Sequence, residues 1–419
     1  MINTVIPPHL PKRLTISFPL WILFDMNEGG AYHDLDKTVR EHVERGFNCI
    51  RLEAGAGLTH DLNGKPRGPV HIRAPFGIHS NSRQSFCFGG PGKCDILQRL
   101  TELCQVCQKY GVFLILSSWY CLHTYWYADN EINDEIFATP AEDMFMTFAK
   151  FLHYILTHLE QAGLDDRIAF AEIFNEVPAI PNFLADRTGR DLSHVDFQTK
   201  HYEALAWLKN MHPQLLFAVD SDNLSDGEIK KIPANLQIFN GHNYFLWDVY
   251  GDTLESKRPH EPPFFRCEVS ADDIRMQRSG LTWVAKQSED WFHRMAGFAD
   301  LNEAAIPALE QHLTTRLDAN RDAYIQRLLR FCEGCEKIMA VHPGIRLVCG
   351  EGVTYCSSPV LHWEEKSDGY WELVSLAIEK YKALNFWGTI IKTCSGPEDP
   401  SWTLCKEKVR GLNLRFLED

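Results

Sequence analysis

Eight short apolar runs, separated by helical patterns, constrain this chain more than any other feature. The runs fall at Pro19–Phe24, Asn48–Leu52, Val112–Ser117, Ile168–Phe174, Leu215–Val219, Leu236–Asn240, Ile345–Cys349 and Phe386–Ile391. Helical periodicity occupies Asp36–Arg45, Cys94–Tyr110, Glu142–Gln161, Asp196–Met211, Ala319–Ala340 and Tyr370–Ala383, and Gly46 and Gly111 follow the first two as C-caps. The fifth interval offers only Ser225–Lys231 for its helix. Strand–helix alternation implies a parallel sheet, and eight short strands favour closure into a (β/α)8 TIM barrel over an open sheet. The 419 residues would admit two or three domains by length, but one barrel with long loops absorbs them. The long connections are Glu53–Lys93, Ser118–Pro140 and an insertion at about 245–318 between strands six and seven. Each follows a strand, so all three belong to the catalytic face, where long loops wall a pocket and favour exo action.

Polar residues at the strand ends suggest what the barrel does. Ile173-Phe174-Asn175-Glu176 closes the fourth run, Gly241-His242-Asn243-Tyr244 follows the sixth, and Leu347-Val348-Cys349-Gly350-Glu351 closes the seventh. Glycosidic cleavage needs one carboxylic acid to protonate the leaving oxygen. It needs a second carboxylate to attack the anomeric carbon or to activate water. Glu176 and Glu351 are candidates for these roles. An Asn-Glu pair is weak evidence alone, since Asn27-Glu28 and Asn302-Glu303 also occur. Asn302-Glu303 falls in the insertion. Glu28 follows the first run and either lines the substrate pocket or caps the Gly29-Gly30 turn. Arg51 lies in a strand that reads as buried, where a guanidinium needs a partner. A nucleophilic carboxylate would serve, and the pairing would keep that carboxylate ionised. Trp119, Tyr120, Tyr125, Trp126 and Tyr127 cluster after strand three, either as packing or as a wall on which a sugar stacks.

Composition excludes several alternatives. The net charge is −14 and no Lys/Arg cluster occurs, which argues against a nucleic-acid partner. No apolar run of about 20 residues exists to cross a membrane. The 13 cysteines are odd in number, and Pro7, Pro8 and Pro11 interrupt the N-terminal segment, which lacks an export-signal pattern. A cytoplasmic location with free buried thiols is therefore expected. Cys104-x-x-Cys107 and Cys332-x-x-Cys335 lie in helical patterns on different sides of a barrel, so packing accounts for them better than a shared zinc site. There is no G-x-S-x-G elbow or P-loop, and nothing requires a cofactor or metal.

The set of residues resembles the clan A glycoside hydrolases, most closely the family 5 cellulase-like barrels, as a divergent member. The resemblance implies that Glu176, after Asn175 on strand four, is the acid/base, and that Glu351 on strand seven is the nucleophile of a retaining hydrolase acting on β-linked oligosaccharides or small glycosides. It assigns Asn175 to the substrate 2-hydroxyl. It places Arg51, His242, Tyr244 and Trp387 at the substrate site. One departure stands out. The family's strand-three histidine is replaced by Leu116-Ser117-Ser118-Trp119-Tyr120, with His123 slightly later. Retaining chemistry predicts the two carboxyl groups about 5–5.5 Å apart. A catalytically silent sugar-binding barrel and a transglycosidase are the competing readings. Sugar identity and oligomeric state are not encoded legibly.

Overall fold

The computed structural model describes residues 4–72, 92–119, 129–221, 224, 226–229, 232, 235–250, 264, 301–354, 360–393, 395–397 and 399–418. Eight parallel strands close a barrel: β1 (Leu14–Ser17), β2 (Cys49–Glu53), β3 (Phe113–Ser117), β4 (Ile168–Glu172), β5 (Phe217–Ser221), β6 (Ile238–Asn243), β7 (Arg346–Gly352) and β8 (Gly388–Ile390). Each strand pairs with its sequence neighbour, and β1 pairs with β8 to close the ring. The (β/α)8 expectation holds. All C-terminal strand ends therefore share one rim, to which the loops after the strands contribute.

The first strand differs from the sequence reading. Pro19–Phe24 forms turns, and the strand is the preceding Leu14–Ser17. The apolar run is buried nonetheless, because it folds against the end of β2: the Glu53 N–H donates to the Leu20 carbonyl at 2.9 Å. Strands five and six extend two or three residues past the expected ends, to Ser221 and Asn243. The fifth helix is short, Asp226–Ile229, as the sparse interval implied. A helix at Ile306–Ala319, inside the expected insertion, precedes the long helix Arg321–Val341. The rest of the insertion lies largely outside the described residues. A small antiparallel pair, Val70–Ile72 with Gly92–Cys94, stands in the loop after β2.

Helices pack on the barrel through apolar stripes. Ile96–Tyr110 buries Leu100, Leu103, Cys104 and Cys107, is capped by Asp95 accepting from the Gln98 N–H, and ends at Gly111 in the left-handed region (φ +70°) that a side chain would strain. Cys107 lies beside Cys49, whereas Cys335 lies beside Cys332 and Cys349; burial pushes each of these thiols up. The two C-x-x-C pairs thus pack against different strands. No helix among the described residues is long and apolar enough to cross a membrane.

Candidate active site

The rim-side interior of the barrel is an ion network rather than an apolar layer. Arg51 projects inward from β2 and is fully buried. Its Nη1 donates to Glu351 Oε1 at 2.5 Å. Its Nη2 lies 2.9 Å from each of Glu172 Oε2, Asn175 Oδ1 and Asp220 Oδ2. The other Glu172 oxygen accepts from Asn240 Nδ2 at 2.6 Å. A buried guanidinium is tolerable because several carboxylates surround it, and they in turn depend on it. The indole of Trp119 covers it, 4.5 Å from ring centre to guanidinium carbon.

Glu351 reaches this network through a backbone irregularity. Cys349 pairs with Gly241 across to β6, but the next pairing is Glu351 with His242, so Gly350 is an extra residue. Without the bulge, Glu351 would face the same side as Cys349, whose thiol meets Tyr381 in the outer helical layer. The bulge turns Glu351 inward. Gly350 is required there, since a Cβ would fall 2.4 Å from Asn240 Oδ1. The Tyr244 hydroxyl donates to Glu351 Oε2. Burial alone would raise the Glu351 pKa, but His242, Arg51 and the tyrosine overcome it and hold the carboxyl below its ordinary range.

Glu176 differs in environment. It lies four residues beyond the end of β4, its side chain is 25% exposed, and its backbone sits at φ +52°, which non-glycine residues rarely adopt. Val353, two residues after Glu351, is also left-handed at φ +74°, an outlier for a β-branched residue. Such strain persists where surrounding structure over-determines the backbone, and it clusters at functional sites. The Asn175 N–H donates to the Ser118 carbonyl at 2.8 Å, and the Leu246 N–H to that of Val353 at 3.0 Å, tying both turns to the rim.

His242 links the two glutamates. Its Nδ1 is 3.4 Å from Glu176 Oε1, and its Nε2 is 3.5 Å from Asp220 Oδ2 and 3.6 Å from Glu351 Oε1. Burial opposes a charged imidazole, but Glu351 and Asp220 outweigh it and raise the pKa well above 6.5. Glu176, His242 and Glu351 each offer one donor atom, all within 4.8 Å of one another. A cation placed there would face the Arg51 guanidinium already bound to Glu351, so the set is better suited to proton and nucleophile chemistry than to a metal.

Asp220 provides a testable consequence. Burial, then repulsion from Glu172, pushes its pKa from 3.8 up to about 7 despite His242 and Arg51. The folded state therefore holds a proton that the unfolded chain releases. This stabilisation is complete below the ordinary value and is lost as pH rises towards about 7. The raised His242 pKa works in the same sense above 6.5. Thermal stability is expected to fall between about pH 5 and about pH 8, and Asp220→Asn to flatten the lower part of that decline. Scanning calorimetry across this range checks it; a wild-type melting temperature that climbs throughout would contradict the assignment.

The structure brings Arg51, Asn175, Glu176, His242, Tyr244 and Glu351 together. Three expected residues do not join them. Trp387 precedes β8 at the opposite end of the barrel, where its Nε1 donates to the Pro11 carbonyl at 3.0 Å and its ring meets Phe170 at 6.0 Å. Just past β8 stands instead buried Lys392, ion-paired to Glu364 and to Asp399 at 3.2 Å. Trp119 is 2% exposed and serves the guanidinium rather than a sugar face. Tyr120, Tyr125, Trp126, Tyr127 and His123 lie outside the described residues. Glu28 is exposed in a turn after β1. Glu53 anchors the rim backbone, accepting from the Gly55 and Trp119 N–H groups at 2.7 and 2.5 Å. Glu172, Asp220 and Asn240 were missed. Their signal was a polar residue in register with inward apolar neighbours, as in Phe170-Ala171-Glu172 and Ala218-Val219-Asp220.

A cavity of about 560 Å³ opens from this centre, lined at one end by Glu176, His242 and Tyr244 and at the other by Trp247, Arg327 and Arg330. Among solved structures, a candidate glycoside hydrolase from Parabacteroides distasonis ATCC 8503 is similar over 98% of this chain and 94% of its own, at 17% identity and a TM-score of 0.63. A glycoside hydrolase family 5 enzyme from Prevotella bryantii B14 aligns over 100% and 99% at 12% identity and a TM-score of 0.48. A family 5 mannosidase from Rhizomucor miehei aligns over 97% and 94% at 12% identity and a TM-score of 0.46. No curated protein matches this chain in sequence. Residues 18–305 match the family described as "Cellulase-like: Sugar-binding cellulase-like". The chain belongs to the cellulase-like family, as a divergent member.

Proposed function

We propose that the protein is a retaining glycoside hydrolase that cleaves a β-linked oligosaccharide or small glycoside through Glu351 as nucleophile and Glu176 as acid/base. The observation that carries this reading is the disposition of two unlike carboxylates. They have oxygens within 4.8 Å of each other, one buried among cations and the other partly open to solvent. That closeness lies nearer the separation of about 5–5.5 Å used by retaining enzymes than the wider inverting gap of about 6.5–9.5 Å.

The chemistry follows from these environments. Glu351, kept ionised by Arg51 and His242, attacks the anomeric carbon as the glycosidic C–O bond breaks. Glu176 gives its proton to the departing oxygen. In the second half, Glu176 takes a proton from water, and the oxygen of that water displaces Glu351 from the anomeric carbon. Partial exposure suits Glu176, because it must exchange protons with solvent once per cycle. Arg51 binds the Asn175 amide oxygen and so leaves the amide NH2 to donate to a sugar 2-hydroxyl. The Tyr244 hydroxyl steadies Glu351 and must release it as the covalent bond forms.

Exo action on short substrates and a cytoplasmic setting complete the proposal. The described cysteines are free and buried, which accords with a reducing compartment. The test is mass spectrometry of the intact protein after exposure to 2-deoxy-2-fluoro glycosyl fluorides of several sugars, followed by peptide mapping. A single adduct on Glu351 is expected. Adducts on another carboxylate would reassign the nucleophile. No adduct, together with no hydrolysis of the matching aryl glycosides, would favour a binding-only barrel.

A further inference from the structure

The outer end of the cavity carries features that the two-glutamate reaction does not need. Trp247 is 54% exposed, the most exposed tryptophan among the described residues. Its backbone N–H donates to the Tyr244 carbonyl at 2.9 Å, which sets its backbone in a tight turn three residues from the tyrosine that binds Glu351. Arg327 lies 5.6 Å from its ring centre and is itself forked onto Asp248, at 2.5 and 2.7 Å. An exposed indole held in this way is a preorganised stacking surface rather than a stray apolar side chain. Phe331 and Leu224 supply an apolar floor.

The charge of this end is also specific. Asp248 neutralises Arg327. Arg330, one helical turn later, is exposed and has no ion pair among the described residues. Among the described residues, Glu176 is the only carboxylate lining the cavity, and it belongs to the reacting end. In a chain of net charge −14, a guanidinium with no ion pair among the described residues, lining the same cavity as an open aromatic face, selects for negative charge. Glu176 marks this as the leaving-group side, because the acid stands beside the departing oxygen, while Glu351 and Arg51 lie buried beneath the sugar that is attacked.

We propose that this cavity is a leaving-group subsite for a ring bearing a carboxylate, with the ring on Trp247 and the carboxylate on Arg330. The inference deepens the glycosidase reading above and rests on it for the direction of the substrate. The substrate class is therefore an acidic glycoside, cleaved to release a carboxylated sugar or ring aglycone.

The test compares β-glycosides of 4-hydroxybenzoate with those of its methyl ester, across gluco, manno, galacto and xylo series. The two leaving groups share a ring and differ in charge. The wild-type enzyme is expected to favour the carboxylate in kcat/KM by about fivefold at low salt, the upper range for one exposed ion pair. The preference should shrink towards unity in high salt. Arg330→Gln should abolish it, Trp247→Ala should raise KM for both members, and Arg410→Gln on the distant C-terminal helix should leave the ratio unchanged. A wild-type ratio of one, or a preference that survives in Arg330→Gln, overturns the subsite. Calorimetric titration of the same pair into the wild-type protein reads the preference without turnover. Binding preference without hydrolysis would therefore sustain the subsite while counting against the glycosidase reading, and hydrolysis without preference would do the reverse.

Discussion

Glu351→Gln is expected to lose turnover by on the order of 10⁵-fold or more while keeping the fold, because the amide preserves shape but cannot form the glycosyl ester. Losses of this order are what removal of a covalent nucleophile produces when no other group can take its place. The surroundings of Glu351 leave no substitute. Glu172 and Asp220 are both held on Arg51 Nη2, fully buried. Glu176 stands across the reacting centre and cannot serve as nucleophile and acid in the same step. Tyr244, whose phenol is kept protonated by burial and by Glu351, would donate to the new amide instead. Steady-state kinetics on an activated aryl glycoside, with circular dichroism as the folding control, checks this. Residual activity within about tenfold of wild type would mean that Glu351 only binds substrate.

The barrel and its two glutamates were legible because both leave strong local traces. Buried parallel strands are apolar runs, and a carboxylate at the end of such a run has no cheap structural explanation. What was not legible has a common cause. Hydropathy locates a strand by its apolar part, but the rim half of this barrel is filled with ions. The fifth and sixth strands were accordingly cut short at Val219 and Asn240, just where Asp220 and His242 begin the polar interior. Glu172 lay inside the fourth run, one polar residue among apolar neighbours, and passing over it left the ion network reduced to Arg51 and one partner.

Trp387 failed for a related reason. A run read as Phe386–Ile391 gives no indication of which end lies at the rim for a residue near its start, and the true strand begins one residue after the tryptophan. The bulge at Gly350 is a third case. Alternation would have sent Glu351 outward with Cys349, and only the pairing with β6 reveals the extra residue. Long-range register of this kind does not appear in a local pattern.

Arg51→Met is expected to be the most destabilising single change in the site, and the reason lies in the same ion network. The guanidinium is fully buried and contacts Glu172, Asp220 and Glu351 at once. Its pKa is driven upward because those three charges outweigh the desolvation that would lower it. Methionine replaces much of the volume but leaves three carboxylates sharing only His242 as a cation. Removing one partner of a buried ion pair costs about 3–5 kcal/mol, since the remaining charge is neither solvated nor paired. Here the molecule can relieve that cost by protonation. The variant should therefore unfold at lower temperature at neutral pH and recover part of the loss under mildly acidic conditions, as Asp220 takes up a proton. Activity should not recover in parallel, because Glu351 has lost the guanidinium that holds it in place. A melting temperature that is unchanged at neutral pH, or a loss that deepens on acidification, would show that the carboxylates do not depend on Arg51 for their charge.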